Sequence, residues 1–259
     1  MKILIIGDVV GRPGRTVLNE NLEALKEEFD ADFVIINGEN ASSGTGIIEK
    51  HAASFFDMGV DVITTGNHVW DKKETESFID AYPKLLRPAN YPSPCPGNGY
   101  VLVPYKDTEV AVINLSGRSF MKSMDCPFRR LDQILEEIPE SIHVKILDFH
   151  AETTSEKLAM GYYGANRLSL VFGTHTHVQT ADHRILDEYT GYITDVGMTG
   201  PLDGIIGVQK EKVLEGFLTQ RPVRYDLAKG KRQINGLVAH IDETDGKTTM
   251  LHGFIKFYD

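Results

Sequence analysis

Ile3-Leu4-Ile5-Ile6-Gly7-Asp8 is an apolar, β-branched run that stops on a carboxylate, and four later stretches likewise end on residues able to ligate a metal. Phe33-Val34-Ile35-Ile36-Asn37-Gly38 ends at Glu39-Asn40, and Val60-Asp61-Val62-Ile63-Thr64-Thr65-Gly66 ends at Asn67-His68. Val144-Lys145-Ile146-Leu147-Asp148-Phe149 ends at His150, and Leu168-Ser169-Leu170-Val171-Phe172-Gly173-Thr174 ends at His175-Thr176-His177. Short runs of this kind read as strands buried within a sheet. Open α/β sheets place their sites just beyond the carboxyl ends of strands. Carboxylate, amide and imidazole groups gathered at those ends describe a metal site.

The segments between the runs supply helices. Val17, Leu18, Leu22, Leu25 and Phe29 give residues 16–29 one apolar face, after a turn at Gly11-Arg12-Pro13-Gly14. Residues 47–58 and 74–82 read as two more helices, so strand–helix–strand units imply right-handed parallel crossovers. Residues 87–98 are a loop rich in Pro, Gly, Ser and Asn. Residues 100–104 and 110–115 form a hairpin, residues 131–138 a helix, and His143 begins the strand that leads to His150. Further on, residues 189–196 read as a strand, 195–203 as a loop and 210–219 as a helix. Residues 233–241 and 248–257 alternate across Asp245-Gly246 as an antiparallel hairpin. No repeat or linker interrupts the chain. The expectation is a single α/β domain over residues 1–259, a sandwich of two mixed β-sheets flanked by helices.

Bulk properties narrow the function. With 259 residues and 41% hydrophobic content, a sizeable core is available. A net charge of −10 argues against a broad electrostatic grip on nucleic acid, so no stable nucleic-acid binding is expected. A small anionic substrate stays open, because bound cations would dominate the local field. Cys95 and Cys126 form no disulfide framework. No leader is recognisable before Ile3 and no apolar stretch approaches the ~18 residues of a membrane span, so a cytoplasmic protein without membrane contact is expected.

The proposed ligands are Asp8 and Glu39 as anions, Asn40 and Asn67 as neutral oxygen donors, and His150, His175 and His177 as nitrogen donors. Two adjacent cations about 3.5–4 Å apart need an anionic bridge and activate a bridging hydroxide as nucleophile. The mixed N and O set suits Fe, Mn, Zn or Co better than Ca²⁺. In an extended segment His175 and His177 point to one side. Asp8 alone reads equally as a helix cap, and His150 alone as an ordinary half-buried histidine; co-occurrence at strand ends decides for metal. His51, His143, His240 and His252 read as structural, and His183 as an outer candidate behind His177.

Gly7-Asp8, Gly38-Glu39-Asn40, Gly66-Asn67-His68, His150 and Gly173-Thr174-His175-Thr176-His177 resemble, in order, the five motif blocks of calcineurin-like metallophosphoesterases. Two departures stand out: Val10 occupies the position where the family usually has a histidine, and Glu39-Asn40 replaces its bridging aspartate block. These changes, with residues 7–14 and 37–44, are similar to the YmdB-type bacterial subgroup of 2′,3′-cyclic-nucleotide phosphodiesterases. The resemblance implies that Asp8, Glu39 and His177, with Asn40 in the place of the missing histidine, hold one metal. Glu39, Asn67, His150 and His175 would hold the other, the ions being iron or manganese, with zinc or cobalt as alternatives. It implies His68 as the catalytic histidine, with Asp71 either orienting it or capping the next helix. The implied substrate is a small phosphodiester, a cyclic nucleotide first. A phosphomonoesterase, an RNA-end phosphodiesterase or a regulatory metal- and nucleotide-binding protein stays open as an alternative, and a homo-oligomer is expected. Residues 42–46 read equally as a loop presenting N–H groups to a phosphate or as a plain flexible loop. The aromatics of residues 116–130 read first as core packing, the alternative being an entrance where Phe120 or Phe128 stacks and Arg118 meets phosphate.

Overall fold

Alternation along the strands sorts the apolar side chains into three layers of core. In the computed structural model, which describes residues 1–259, β1 (Lys2–Ile6) sends Leu4 and Ile6 to one face and Ile3 and Ile5 to the other. Leu4 and Ile6, with Val34 and Ile36 of β3 (Phe33–Asn37), pack against α1 (Gly11–Phe29) and α2 (Glu49–Asp57). Ile3, Ile5, Phe33 and Ile35 instead meet Val112, Ile146 and Phe172 of a second sheet. The far side of that sheet, with Ile113, Leu147 and Val171, is covered by α4 (Pro127–Glu137) and α5 (Thr154–Gly164). The expected helix–sheet–sheet–helix sandwich is therefore present.

The first sheet runs β2 (Asp8–Val9), β11 (Met198–Pro201), β12 (Arg232–Ile241), β1, β3, β4 (Val62–Thr64), with β13 (Thr248–Tyr258) along β12. Within it β1, β3 and β4 are parallel. The second runs β5 (Tyr100–Tyr105), β6 (Thr108–Ser116), β7 (Lys145–His150), β8 (Leu170–Thr174), β10 (Thr190–Ile193), β9 (Arg184–Leu186). Its strands β6, β7, β8 and β10 are parallel. α3 (Thr75–Phe78) and α6 (Lys210–Thr219) complete the helices. No helix is long and apolar enough to cross a membrane.

Several elements differ from expectation. The 11–14 segment is the first turn of α1, because Pro13 has no N–H to lose there and Gly11 adopts φ 57° while donating to the Asn40 carbonyl at 2.8 Å. The 74–82 helix shrinks to α3 and one 3₁₀ turn at Ile79–Ala81, stopped before Pro83. His143 lies ahead of β7 rather than in it, and the 189–196 strand is only the four residues of β10. Residues 195–203, expected as a loop, contain β11. This short strand inserts where β1 parts from β12 at Gly7: Gly7 N–H still reaches Asn235, but Asp8 N–H goes to Gly197 at 3.1 Å. α5 escaped the sequence reading because Gly161 and Gly164 dilute its helical signal. Gly161 is required by packing, since a Cβ there would come within 2.5 Å of the Tyr192 ring.

Candidate metal centre

The parallel strands of both sheets aim their carboxyl ends at one place. The first sheet supplies Asp8, Glu39, Asn40 and Asn67, and the second supplies His150 and, just past β8, His175 and His177. Asp8, Glu39, Asn40 and His150 are buried, whereas Asn67, His175 and His177 are partly open. His150 Nε2 lies 3.0 Å from Asn67 Oδ1, 3.0 Å from His175 Nδ1 and 3.1 Å from Glu39 Oε1. Neighbouring ligands on an octahedral ion with bonds of ~2.1 Å sit about 3.0 Å apart, which is the spacing seen. The imidazole comes this close because residue 66 is glycine; a Cβ would stand 2.2 Å from His150 Cδ2.

Hydrogen bonds behind the rings decide where their protons are. Thr174 Oγ1 donates to Asp148 Oδ1 at 2.7 Å and so accepts from His150 Nδ1 at 2.9 Å. His175 Nε2 donates to Glu152 Oε2 at 2.9 Å, and His177 Nδ1 donates to the Ile206 carbonyl at 3.1 Å. All three imidazoles therefore turn an unprotonated nitrogen inward when they are neutral. The oxygens repeat the pattern: Asp8 Oδ1, Glu39 Oε1 and Asn40 Oδ1 are buried and have no hydrogen-bond donor. Although Glu39 Oε1 is within 3.1 Å of His150 Nε2, that contact is ionic in distance without hydrogen-bond alignment. Each orphaned acceptor costs about 1–3 kcal/mol. The donor set fits cations, because buried acceptors without a donor and imidazole nitrogens from both sheets converge on one place.

His177 Nε2 stands 2.8 Å from Asn40 Nδ2 and 3.9 Å from Asp8 Oδ1, forming a second cluster. Asn40 is thus beside His177 as expected, and Val10 is buried and apolar. The 175–177 segment is not extended. His175 has φ 102° and His177 φ 65°, a left-handed turn in which the rings reach different clusters. Asp195 holds that turn, accepting the Thr176 N–H at 3.0 Å and hydroxyl at 2.7 Å while pairing with buried Lys157 at 2.6 Å.

Charge follows the geometry. Burial pushes Asp8 well above the ordinary carboxylate range; His150 opposes this, and Glu39, Asp195 and Asp148 add to it. Burial would raise Glu39 too, but His150 and the His68 N–H hold it down at about 2. Burial would lower His150, yet Glu39, Asp8 and Asp148 raise it to about 9. Burial and His150 lower His175 to about 3. Below pH 9, then, the metal-free protein keeps a proton on His150 that a cation must displace. Metal uptake at pH 7 is expected to release at least the proton of His150, and apparent affinity to rise with pH until about 9. Calorimetry in two buffers of different ionisation enthalpy measures this, and metal uptake without proton release would remove His150 from the ligand set.

His68 is next to the cluster without joining it. Its N–H reaches Glu39 Oε2 at 3.2 Å, and its Nδ1 is 2.7 Å from Asp71 Oδ2. Asp71 therefore orients His68 rather than capping a helix, since α3 starts only at Thr75. The imidazole borders a cavity of about 400 Å³ together with Ser43, Gly44, Thr45, Ile206, Tyr225 and Leu227. The 42–46 loop is thus at the site, but the 116–130 segment is not among the lining residues. Phe120 is 94% exposed, Phe128 stacks edge-on to Tyr163, and the Arg118 N–H is bound to Glu156. His183 is outside the cluster. Sequence reasoning passed over Asp148, Glu152, Thr174, Lys157 and Asp195. Asp148 carried one signal, lying two residues before His150 and so on the same side of β7. Ile206 and Tyr225 carried none.

Known proteins resemble this chain over nearly its whole length. The 2′,3′-cyclic-nucleotide 2′-phosphodiesterase of Bacillus subtilis (strain 168) is 50% identical over 251 residues, 97% of this chain and 95% of that protein. The crystal structure of a novel phosphatase from Mycoplasma pneumoniae superposes with a TM-score of 0.94 at 32% identity, covering 99% of this chain and 93% of that one. A hypothetical protein from Thermus thermophilus does so with a TM-score of 0.93 at 36% identity over 100% of both chains. Residues 4–253 match the family described as YmdB-like protein, and over that span, with its motif blocks folded onto one site, the chain belongs to the YmdB-like family of metallophosphoesterase fold.

Proposed function

We propose that this protein is a metal-dependent phosphodiesterase that hydrolyses 2′,3′-cyclic nucleotides at the bond to the 2′-oxygen. One observation carries the reading: a histidine that is not in the ligand cluster, His68, is held by Asp71 on the wall of a cavity that Glu39, Asn40, His175 and His177 also line. A purely structural metal site leaves no open position for substrate and has no use for such a group. The name and 50% identity of the Bacillus subtilis relative support the substrate class. Asp8, Glu39, Asn40 and His177 would hold one ion, and Glu39, Asn67, His150 and His175 the other, with iron or manganese best suited to the set. Bound there, the ions supply charge neutralisation for the phosphoryl oxygens and a nucleophile at neutral pH. Asp71 accepts the Nδ1 proton of His68, leaving Nε2 to exchange a proton with the leaving oxygen. Glu152 and Thr174 fix the tautomers of His175 and His150.

Metal content and turnover of wild type and His68→Ala test this together. Both proteins are expected to hold two ions per chain, while the variant loses about 10²–10⁴-fold in kcat on 2′,3′-cAMP. Wild type is expected to favour 2′,3′-cAMP over 3′,5′-cAMP and p-nitrophenyl phosphate. Preference for the monoester would make the protein a phosphatase, and metal loss in His68→Ala would make His68 a ligand.

A further inference from the structure

A second cavity, of about 630 Å³, opens beside the first and shares Ser43, Tyr225, Asp226 and Leu227 with it. Its walls carry Arg12, Arg15, Arg224 and Lys229, with Asp226 as the one carboxylate. In a chain of net charge −10, four cations against one anion around a single cavity is a local reversal of sign. None of the four is in an ion pair, unlike Lys2, Arg167, Arg232 and Lys256, which each engage a carboxylate. Arg15 turns instead to the Ala41 carbonyl. Burial and the neighbouring Arg12 both weaken the hold of Arg15 on its proton, as expected where like charges face each other without an anion between them.

The remaining lining groups are donors or aromatic. Ser42 Oγ accepts the Ile48 N–H and lies 2.7 Å from Nδ1 of His51, which lines the cavity. Tyr225, 57% exposed, stands on the wall common to both cavities. Guanidinium groups with free donors match phosphate oxygens in pairs, and an exposed aromatic ring offers a face to a base or ribose. Because the two cavities share a wall of four residues and open side by side, one ligand can reach both.

We propose that the basic cavity receives a second phosphate of the same substrate, so that the preferred substrate is a 2′,3′-cyclic phosphate whose nucleotide also bears a 5′-phosphate, as the terminal residue of a short RNA does. This rests on the phosphodiesterase reading above and names its substrate more narrowly. The acidic surface elsewhere favours short ends over long polymers.

The test compares kcat/KM for adenosine 2′,3′-cyclic phosphate with that for its 5′-phosphorylated form, in wild type and in Arg12→Ala/Arg224→Ala. The expected ratio in favour of the 5′-phosphorylated substrate is about tenfold or more in wild type, falling to about one in the double variant. A wild-type ratio near one overturns the proposal, as does a large ratio that survives in the variant. Calorimetric binding of adenosine 3′,5′-bisphosphate against 3′-AMP gives the same comparison without hydrolysis. If neither cyclic substrate is cleaved but the bisphosphate binds about tenfold tighter only with both arginines present, the basic subsite stands while the phosphodiesterase reading falls. Equal binding of the two nucleotides overturns the subsite itself.

Discussion

Glu39→Gln is expected to lower kcat/KM on 2′,3′-cAMP by about 10³-fold or more and to leave the protein short of at least one cation. The substitution preserves shape and one carbonyl oxygen, which can still accept the His68 N–H now bound at 3.2 Å. It removes the charge. Glu39 lies against His150, 3.1 Å from its Nε2, and without it Asp8 is the one carboxylate left among the seven proposed ligands. The new amide would also direct N–H donors at an inward lone pair of His150, where a cation is wanted. Elemental analysis after gel filtration, followed by steady-state turnover, gives the answer. A Glu39→Gln protein with two ions and normal turnover would show that the glutamate bridges nothing.

Asp195→Ala is expected to cost about 3–5 kcal/mol of stability, because it leaves the Lys157 ammonium buried with no counter-ion. Lys157 is 1% exposed and Asp195 0%, so solvent does not compensate for the loss. The same carboxylate also binds the Thr176 N–H and hydroxyl and the Gly197 N–H, so the left-handed turn that presents His175 and His177 loosens with it. Metal affinity should therefore fall along with the urea midpoint. Lys157→Met in the same background should recover part of the stability, since it removes the stranded charge, but none of the metal affinity. A loss below about 1 kcal/mol for Asp195→Ala would mean that the pair contributes little.

The sandwich was legible because parallel strands buried on both faces must be β-branched runs, and Ile3–Ile6, Phe33–Ile36 and Ile146–Leu147 are such runs. The candidate ligands were legible because polar groups follow those runs abruptly, at the one edge of a parallel sheet where chain ends can approach a ligand. What was missed depends on partners distant in sequence. The left-handed turn at 175–177 is imposed by Asp195, far along the chain, where local preference favoured an extended segment. Strand β11 exists only because β1 parts from β12 at Gly7 and leaves a gap for it; Gly197, Gly200 and Pro201 taken alone read as loop. Tyr225 and Arg224 reach the site from a segment with no regular structure, and Arg12 from what looked like a turn, so nothing periodic marked them.

The proposed ligands are divided between the two sheets, and this sets an order of assembly. The sheet built around β1, β3 and β4 brings carboxylates and amides, the other brings the imidazoles among them, and neither half alone offers a complete coordination sphere. While the chain is being made, Asp8 and Glu39 appear long before His177, and they wait as ordinary acids until the halves dock. A cation held by this set would then be retained only after the halves have joined, since an incompletely joined molecule lacks part of the proposed coordination sphere. Metal occupancy in a preparation would accordingly count correctly folded molecules.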